Sequence, residues 1–381
     1  MKKALLPLLL VIPLVGCQSK EAVVKEAVVA YNLKASLTGH FTEVQANYLK
    51  SEDYTDTTPY NGNLSVSKPN PVSLTWESNG ETSFSVDLYE DEALTKHIVS
   101  YTTNENSFDF YNPIFNQEYY VKVSTKDKDE VYNSNIVNFK EVPTISGPRN
   151  IYVDGVENFR DIGGYGTITN GAYKTFIKQG MLYRSGRFND DKEEVVKPSI
   201  TEAGIYEVNN HLKIKTEIDL RRTSNNEVGG LTNKSVLGDN VNYIQLPMAY
   251  GGNNILTFTG KLSGDDYEYD NPAMIKRFFE ILADKNNYPI DFHCSIGKDR
   301  TGCLAYLVET LLRYGEFAFR DYMFTNFANA GMCKFTDLTE RYAGTIMAYD
   351  TFDDNKTYAY LNEVVGISKD TLNSVIGILT A

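Results

Sequence analysis

The most informative stretch of the sequence is His293-Cys294-Ser295-Ile296-Gly297-Lys298-Asp299-Arg300-Thr301-Gly302. Apolar residues before it predict a short buried strand over 288–293. Leucines recurring on one face after it predict a helix over 301–314, with Gly315 as its C-cap. The stretch is therefore a turn from a strand into a helix, where backbone N–H groups converge and the helix terminus adds positive charge. Such a turn predicts an anion site that fits a phosphate dianion.

Two side chains of this turn carry chemistry. The planar fork of Arg300 can clamp two oxygens of a phosphate. The same positive field favours the thiolate of Cys294, which is the nucleophilic form of a cysteine. A structural cysteine before an ordinary helix is the alternative interpretation. The combination of Cys, Gly, Arg, Thr and Gly in this register argues against it.

The turn resembles the C-x5-R signature of the cysteine phosphatases. Other blocks resemble, in the same order, motifs of a bacterial tyrosine-phosphatase-like family: Asn158-Phe159-Arg160-Asp161-Ile162-Gly163-Gly164, Leu182-Tyr183-Arg184-Ser185-Gly186 and Ile218-Asp219-Leu220-Arg221-Arg222. Tyr360-Leu361 and Gly366-Ile367-Ser368 are similar to the closing helical segment of that family. The resemblance runs over residues 152–381.

The resemblance implies hydrolysis of phosphomonoesters through a phosphocysteine on Cys294. The substrates would be phosphotyrosine proteins and also phosphoinositides or inositol phosphates. Thr301 would hydrogen-bond the sulfur, and His293 would orient or polarise the cysteine. The phosphate would be bound by the loop residues Ser295, Ile296, Gly297, Lys298, Asp299 and Arg300.

Lys298 is the clue to specificity that the resemblance offers. A second cation beside Arg300 is typical of phosphoinositide phosphatases, whereas loops specific for phosphotyrosine usually lack it. A lysine that points to solvent is the alternative. No cofactor and no metal are expected, since the chain has no C-x-x-C pair and only four histidines.

The acid that protonates the leaving group has three candidates in the sequence. We favour Asp299, inside the loop, slightly over Asp219, which ends the strand of the D-L-R block. Asp265 and Asp266 lie in a glycine- and aspartate-rich stretch, 260–270, that is a candidate lid. For Asp219 the competing interpretation is an ion pair with Arg160, Arg184 or Arg221. Arg160 and Asp161 are candidates for bracing the first turn of the domain as much as for contacting substrate.

The N-terminus reads as an export signal. Lys2 and Lys3 precede an apolar run over 4–15 that is too short to span a bilayer comfortably. Gly16-Cys17 resembles a lipobox, so residues 1–17 are predicted to be a lipoprotein signal, with a lipid on Cys17. A plain secretory signal or an uncleaved anchor is the alternative. The prediction places the chain on the outer face of a bacterial cell membrane.

The amino-acid composition and the pattern of apolar residues divide the rest of the chain into segments. Residues 18–58 are predicted to be a partly helical tether, or alternatively a helix docked on the catalytic domain. Alternating strands separated by turns predict a β-sandwich over 59–142 that resembles a fibronectin type III or immunoglobulin-like module, with Trp76 in its core and Tyr119 at its corner. Residues 143–151 read as a linker and residues 152–381 as the catalytic domain. The sandwich is a spacer or a module for a protein or glycan ligand.

Strands alternate with helices in the last region. Strands are predicted over 215–220, 243–246 and 290–293, and helices over 201–212, 273–282 and 301–314. This order predicts an α/β domain with a mostly parallel central sheet and the nucleophile at the carboxyl edge of a strand. The formal charge of −13 argues against a nucleic-acid partner.

Two other classes of protein compete with an active phosphatase. One is a catalytically inactive adhesin or phospho-ligand-binding surface protein that uses the sandwich. Retention of Cys294, Arg300 and Thr301 argues against it. The other is a rhodanese-type sulfurtransferase, which the N-F-R-D and D-L-R blocks do not resemble.

Overall fold

The computed structural model describes residues 28–62, 68–80, 82–127, 129–189, 200–222, 234–250, 254–328, 332–351 and 353–380. The predicted signal, Cys17 included, lies outside these residues. Within them, no helix has both the length and the apolar character that crossing a bilayer requires.

The first part of the chain is rich in strands. These are β1 (Ala30–Leu37), β2 (Val72–Ser78), β3 (Phe84–Tyr89), β4 (His97–Thr103), β5 (Ser107–Phe110), β6 (Glu118–Asp127), β7 (Glu130–Asn133) and β8 (Val137–Lys140). One sheet has the order β1-β2-β5, and the other has the order β4-β3-β6-β7, with β8 also paired to β6. Alternate side chains point inward, and Leu74, Trp76, Val86 and Val121 meet in one buried core between the sheets.

The tether predicted over 18–58 differs from the structure in its described part. Ala30 and Leu33 are buried in the core of the two sheets, so this segment is held as the edge strand β1 rather than as a helix. The helix α1 (Glu43–Leu49) begins at a capping box on Thr42. Its Tyr48 and Leu49 pack into the core of the C-terminal domain, so α1 is docked rather than free.

The C-terminal domain is built on a six-stranded sheet. Its region of the chain contains β9 (Arg149–Asn150), β10 (Arg160–Asp161), β11 (Gly166–Thr169), β12 (Ala172–Thr175), β13 (Leu182–Ser185), β14 (Thr216–Asp219), β15 (Asn242–Gln245), β16 (Thr259–Lys261), β17 (Glu268–Asp270) and β18 (Ile290–His293). The sheet order is β15-β14-β18-β13-β10-β9. The first four strands are parallel, as predicted, and β10 and β9 add antiparallel. The end of the predicted linker is therefore the strand β9. The buried Arg149 of this strand also forms an ion pair with Asp161.

Helices cover this sheet. They are α2 (Glu202–Tyr206), α3 (Asn271–Leu282), α4 (Arg300–Leu311), α5 (Gly315–Phe324), α6 (Phe335–Leu338), α7 (Gly344–Ala348), α8 (Lys356–Glu363) and α9 (Lys369–Leu379). Nearly every residue of α4 is buried, so this helix is central. The predicted C-cap was misplaced: Arg313 takes the left-handed position, at φ 72°, and Gly315 starts α5.

Polar contacts join the two-sheet region to the C-terminal domain. The Glu207 carboxylate accepts the Tyr101 hydroxyl at 2.6 Å and the Asn112 amide at 2.5 Å. Arg149 donates to the carbonyl oxygens of Asn112 and Pro113. Glu207 and Arg149 are charged and largely buried, so these bonds compensate for their loss of water.

Candidate active site

The segment between β18 and α4, residues 294–300, forms a tight turn that we call the cysteine loop. His293 ends β18, and Arg300 begins α4. Gly297 lies at φ 70°, and a Cβ on it would be 2.5 Å from the carbonyl oxygen of Ser185. Only glycine fits this position, because a side chain would meet both left-handed strain and the backbone of β13.

Side chains outside the cysteine loop donate hydrogen bonds to its outward carbonyl groups. The bonds are Arg187 Nη1 to Ser295 at 3.2 Å, Asn158 Nδ2 to Ile296 at 3.0 Å and to Gly297 at 3.1 Å, and Arg184 Nη2 to Gly297 at 2.6 Å. A peptide plane that turns its carbonyl outward turns its N–H the other way. Successive N–H groups facing the loop interior form an anion-binding concavity.

A buried acid holds one of these supporting residues, Arg184, together with a second arginine, Arg160. Asp321 accepts Arg160 Nε at 2.9 Å and also bonds Arg184 Nη1. Burial alone would raise the pKa of Asp321, but the two guanidinium groups lower it, so the acid stays charged. Arg160 in turn bonds the Asn158 side chain. Arg160 therefore supports the loop from behind, through Asn158.

Cys294 lies at the base of the loop, 2% exposed. Burial raises the pKa of its thiol, but Arg300 together with the hydroxyl and N–H of Thr301 more than offsets this, and the net pKa is lowered. The Thr301 hydroxyl is buried and forms no hydrogen bond within the described residues, but it is close enough to the sulfur to help lower the pKa of the thiol. The site thus favours a thiolate.

Arg300 is fixed at the first turn of α4. Its Nη1 donates to the carbonyl oxygens of Leu220 at 3.0 Å and Met248 at 3.3 Å, beyond the ends of β14 and β15. Its guanidinium carbon lies 5.0 Å from the ring centroid of Tyr250. These contacts preorganise a planar cation beside the sulfur.

His293 is buried beneath the loop and carries a charge. Its Nε2 donates to Glu217 Oε1 at 2.9 Å, and its Nδ1 lies 3.3 Å from the Cys294 carbonyl oxygen. Burial alone would lower the pKa of His293, but Asp219 and Glu217 raise it to about 9. The residue before the nucleophile is therefore an imidazolium at neutral pH.

Asp219 faces this histidine, not the loop mouth. Its oxygens accept Arg221 Nε and Nη2 at 2.6–3.0 Å, and it is 1% exposed. Burial opposes its charge, but His293 and Arg221 hold its pKa well below the usual range. The ion pair with Arg221, the competing interpretation of this residue, is what the structure contains.

Of the other acidic candidates, Asp266 is exposed, whereas Asp299 and Asp265 each have a partner, as does Lys298. Asp299 bonds Arg341 at the rim of the loop. Asp265 accepts the Tyr269 hydroxyl at 2.5 Å and is 8% exposed. The Lys298 ammonium donates to the Met332 carbonyl at 2.6 Å and lies 3.6 Å from Asp337, so it does not simply point to solvent.

Sequence reasoning missed the residues that hold the loop in place. Glu217 had a usable signal, because residues two apart on a strand share a face, and Asp219 was already singled out. Asn158 belongs to the N-F-R-D motif, but the sequence does not reveal that its φ of 59° places it in a left-handed turn. Asp321 had no signal, since it reaches its partners from a helix 137 residues beyond Arg184.

A buried acid beneath the loop gives a stability prediction. Burial raises the pKa of Asp291 to about 8, and its Oδ2 accepts the Ser185 hydroxyl at 3.0 Å. In the unfolded chain this carboxyl group ionises near its ordinary pKa of 3.8. The folded protein therefore loses stability as the pH rises between these two values, by about 1.4 kcal/mol per pH unit at most.

We expect Asp291→Asn, which keeps an acceptor for Ser185, to remove this dependence. Urea unfolding of both proteins at about pH 5 and about pH 7.5 measures it. The variant should gain stability over the wild type as the pH rises. A constant difference at the two pH values would mean that Asp291 is ionised in the folded protein.

A model of the tyrosine phosphatase family matches residues 151–381. One similar solved structure is the Siw14 catalytic core, with 19% identity over 56% of this chain and 96% of that chain, at a TM-score of 0.31. Another is the core catalytic domain of the PP-IP phosphatase SIW14 from S. cerevisiae in complex with citrate, with 20% identity over 49% of this chain and 91% of that chain, at a TM-score of 0.30. No curated protein matches the chain.

Proposed function

The chain belongs to the tyrosine phosphatase family, and from this premise we propose that it hydrolyses phosphomonoesters, phosphotyrosine among them, through a phosphocysteine on Cys294. One observation carries the proposal. A buried thiol of lowered pKa lies at the base of a loop whose carbonyls are turned outward and whose rim holds a fixed guanidinium. That arrangement combines a nucleophile with a receptor for phosphate oxygens.

In the first step the Cys294 sulfur attacks phosphorus and the ester P–O bond breaks. Negative charge is distributed over the equatorial oxygens, where the loop N–H groups and Arg300 stabilise it. The imidazolium of His293 adds a fixed positive charge behind the sulfur. The product of the step is a phosphocysteine and a leaving oxygen that needs a proton.

We assign this proton to Asp299 and not to Asp219. Both oxygens of Asp219 accept hydrogen bonds from Arg221, and His293 also lies against this carboxyl group, so it is not placed to reach a leaving oxygen. Asp219 is also buried beneath the loop, whereas the Asp299 side chain, 18% exposed, lies at the rim. The role of Asp219 is then to hold Arg221 and His293.

In the second step water attacks the phosphocysteine and the S–P bond breaks. The Asp299 carboxylate takes the proton of the water, and inorganic phosphate leaves. The Thr301 hydroxyl donates to the sulfur and stabilises the thiolate that departs. The enzyme returns to its starting state with no net change in its own atoms.

Substrates with several phosphates are a second class, and Lys298 is the residue on which they depend. Its ammonium is bonded to the Met332 carbonyl and lies near Asp337, so an additional phosphate must compete with these acceptors. A charge pair at about 4 Å is worth roughly 1–4 kcal/mol near a protein surface. We expect Lys298→Ala to lower activity on inositol phosphates about tenfold more than on a phosphotyrosine peptide.

A phosphate-release panel of phosphotyrosine peptides, phosphoinositides and inositol phosphates tests both the proposed activity and the proposed second class of substrates. Asp337→Asn is the matched variant, since it releases Lys298 and should shift preference towards polyphosphorylated substrates. Equal losses on all substrates in Lys298→Ala would remove the argument for the second class. Failure of the wild type to release phosphate from any of them would overturn the proposed activity itself.

The remaining proposals concern location and the β-rich region. We propose that the chain is exported and lipid-anchored through Cys17 to the outer face of the bacterial membrane, which fractionation of the full chain and Cys17→Ala tests. We also retain the fibronectin type III-like assignment. Its support is Tyr119, whose hydroxyl accepts the N–H of Ile114 at 2.9 Å, the bond expected of a corner tyrosine. The sandwich then serves as a spacer or binds a protein or glycan.

A further inference from the structure

Asp299 lies at a helix-capping position, but its side chain does not cap the helix. It is the N-cap residue of α4, where an aspartate ordinarily accepts a backbone N–H from the first turn. Its side chain makes no such bond. Oδ1 instead accepts Nη1 of Arg341, which lies 42 residues further along the chain. The carboxyl group is therefore held away from the helix and towards a second element.

Arg341 is well placed to hold it. The turn Thr339–Ala343 joins α6 to α7, and the Arg341 carbonyl accepts the Ile255 N–H at 2.9 Å. The next residue, Tyr342, is 1% exposed, and its hydroxyl would lie 3.1 Å from a Cβ built on Gly302 in the first turn of α4. The backbone of Arg341 is thus fixed against the helix that begins at the cysteine loop.

The ion pair contributes more to geometry than to stability. The Arg341 side chain is 32% exposed and that of Asp299 is 18% exposed, and a partly solvated pair of this kind stabilises a fold only weakly. Proton transfer, in contrast, depends strongly on the position of the acid relative to the leaving oxygen. The contact therefore has its main consequence in the reaction.

We propose that Arg341 is the positioning residue for the acid, keeping the Asp299 carboxyl at the rim and preventing it from capping α4. This inference rests on the proposed role of Asp299. The acid matters when the leaving oxygen is basic, as in phenyl phosphate, and matters little when the leaving group is p-nitrophenolate. Removal of Arg341, which does not itself contact substrate, should therefore lower activity on phenyl phosphate more than activity on p-nitrophenyl phosphate.

The test compares kcat/KM for phenyl phosphate and p-nitrophenyl phosphate in Arg341→Met, Arg341→Lys and Asp299→Asn. A general acid contributes about 10²–10⁴-fold, so we expect Asp299→Asn to lose at least about a hundredfold on phenyl phosphate. Arg341→Met should lose about tenfold or more on phenyl phosphate and less than about threefold on p-nitrophenyl phosphate. Arg341→Lys, which keeps a cation, should recover part of the loss and serves as the readout if Arg341→Met does not fold.

The double variant and a surface control make the test specific. Asp299→Asn with Arg341→Met should be no worse than Asp299→Asn alone, because both remove one function. Arg277→Met breaks an exposed pair with Glu280 on α3 and should change neither substrate. Equal losses on both substrates in Arg341→Met and Arg341→Lys would overturn the role of Arg341 while leaving the proposed function intact. Equal losses in Asp299→Asn would instead overturn the assignment of the acid.

Discussion

Cys294→Ser is expected to abolish hydrolysis of p-nitrophenyl phosphate. The loop, Arg300 and Thr301 lower the pKa of a thiol, whereas a serine hydroxyl in the same place stays protonated and is a weak nucleophile. Deletion of a covalent nucleophile in another hydrolase costs on the order of 10⁶-fold in kcat. We expect a loss of several orders of magnitude here, measured as nitrophenolate release under saturating substrate.

A matched change in the same helix controls for damage to the fold. Cys303 is also buried, but burial raises the pKa of its thiol, so it is inert. Cys303→Ala should keep most of the activity. Substantial turnover in Cys294→Ser, or an equal loss in both variants, would be incompatible with a covalent role confined to Cys294.

Arg300→Lys is expected to have the second largest effect. Lysine retains the charge but presents it as a point on a flexible stem, so it loses the planar fork and the bonds to the Leu220 and Met248 carbonyls. Removal of one preorganised donor to a developing anion costs about 2.7–4 kcal/mol, or about 10²–10³-fold in kcat. Steady-state kinetics on p-nitrophenyl phosphate measures the loss.

Arg313→Lys supplies the control for this change. Arg313 is exposed just beyond the C-terminal end of α4, whereas the loop lies at the N-terminal end of that helix. Its replacement should leave kcat/KM within about twofold, as for most surface substitutions. Near-normal kinetics in Arg300→Lys would make Arg300 a structural residue of α4 and would move the phosphate contact elsewhere.

The sequence allowed a correct prediction of the parts of this fold that depend on local pattern. β18, α3 and α4 lie within a few residues of their predicted bounds, because apolar periodicity and the glycines at the turn report directly on backbone geometry. Cys294 and Arg300 were identifiable because they lie in one short turn.

The parts that failed depend on contacts between distant segments. The strand β1 has little apolar alternation of its own, and Ala30 and Leu33 are buried only because β2 and β6 complete the core around them. Asp321 and Arg341 act on the loop from helices that a local pattern cannot place beside it. Periodicity predicts which face of an element is buried, but not which partner covers it.

The same limit explains the shift in the interpretation of Lys298. A lysine inside an anion-binding loop is expected to face the substrate, since the sequence gives it no other partner. In the structure its ammonium bonds the Met332 carbonyl and lies near Asp337, both more than 30 residues away. A charged residue within a motif therefore predicts a capacity to bind phosphate. The surrounding fold determines how much of that charge is available to the substrate.

Trapping of the phosphoenzyme tests the central claim most directly. The wild type is mixed with excess p-nitrophenyl phosphate, denatured within the first turnovers and digested for mass spectrometry. We predict one added phosphate on the peptide that contains Cys294, absent from Cys294→Ser, together with a burst of nitrophenolate if the second step is slower. Sustained turnover with an unmodified Cys294 peptide and the phosphate on no residue, or on a different one, would contradict covalent catalysis by Cys294.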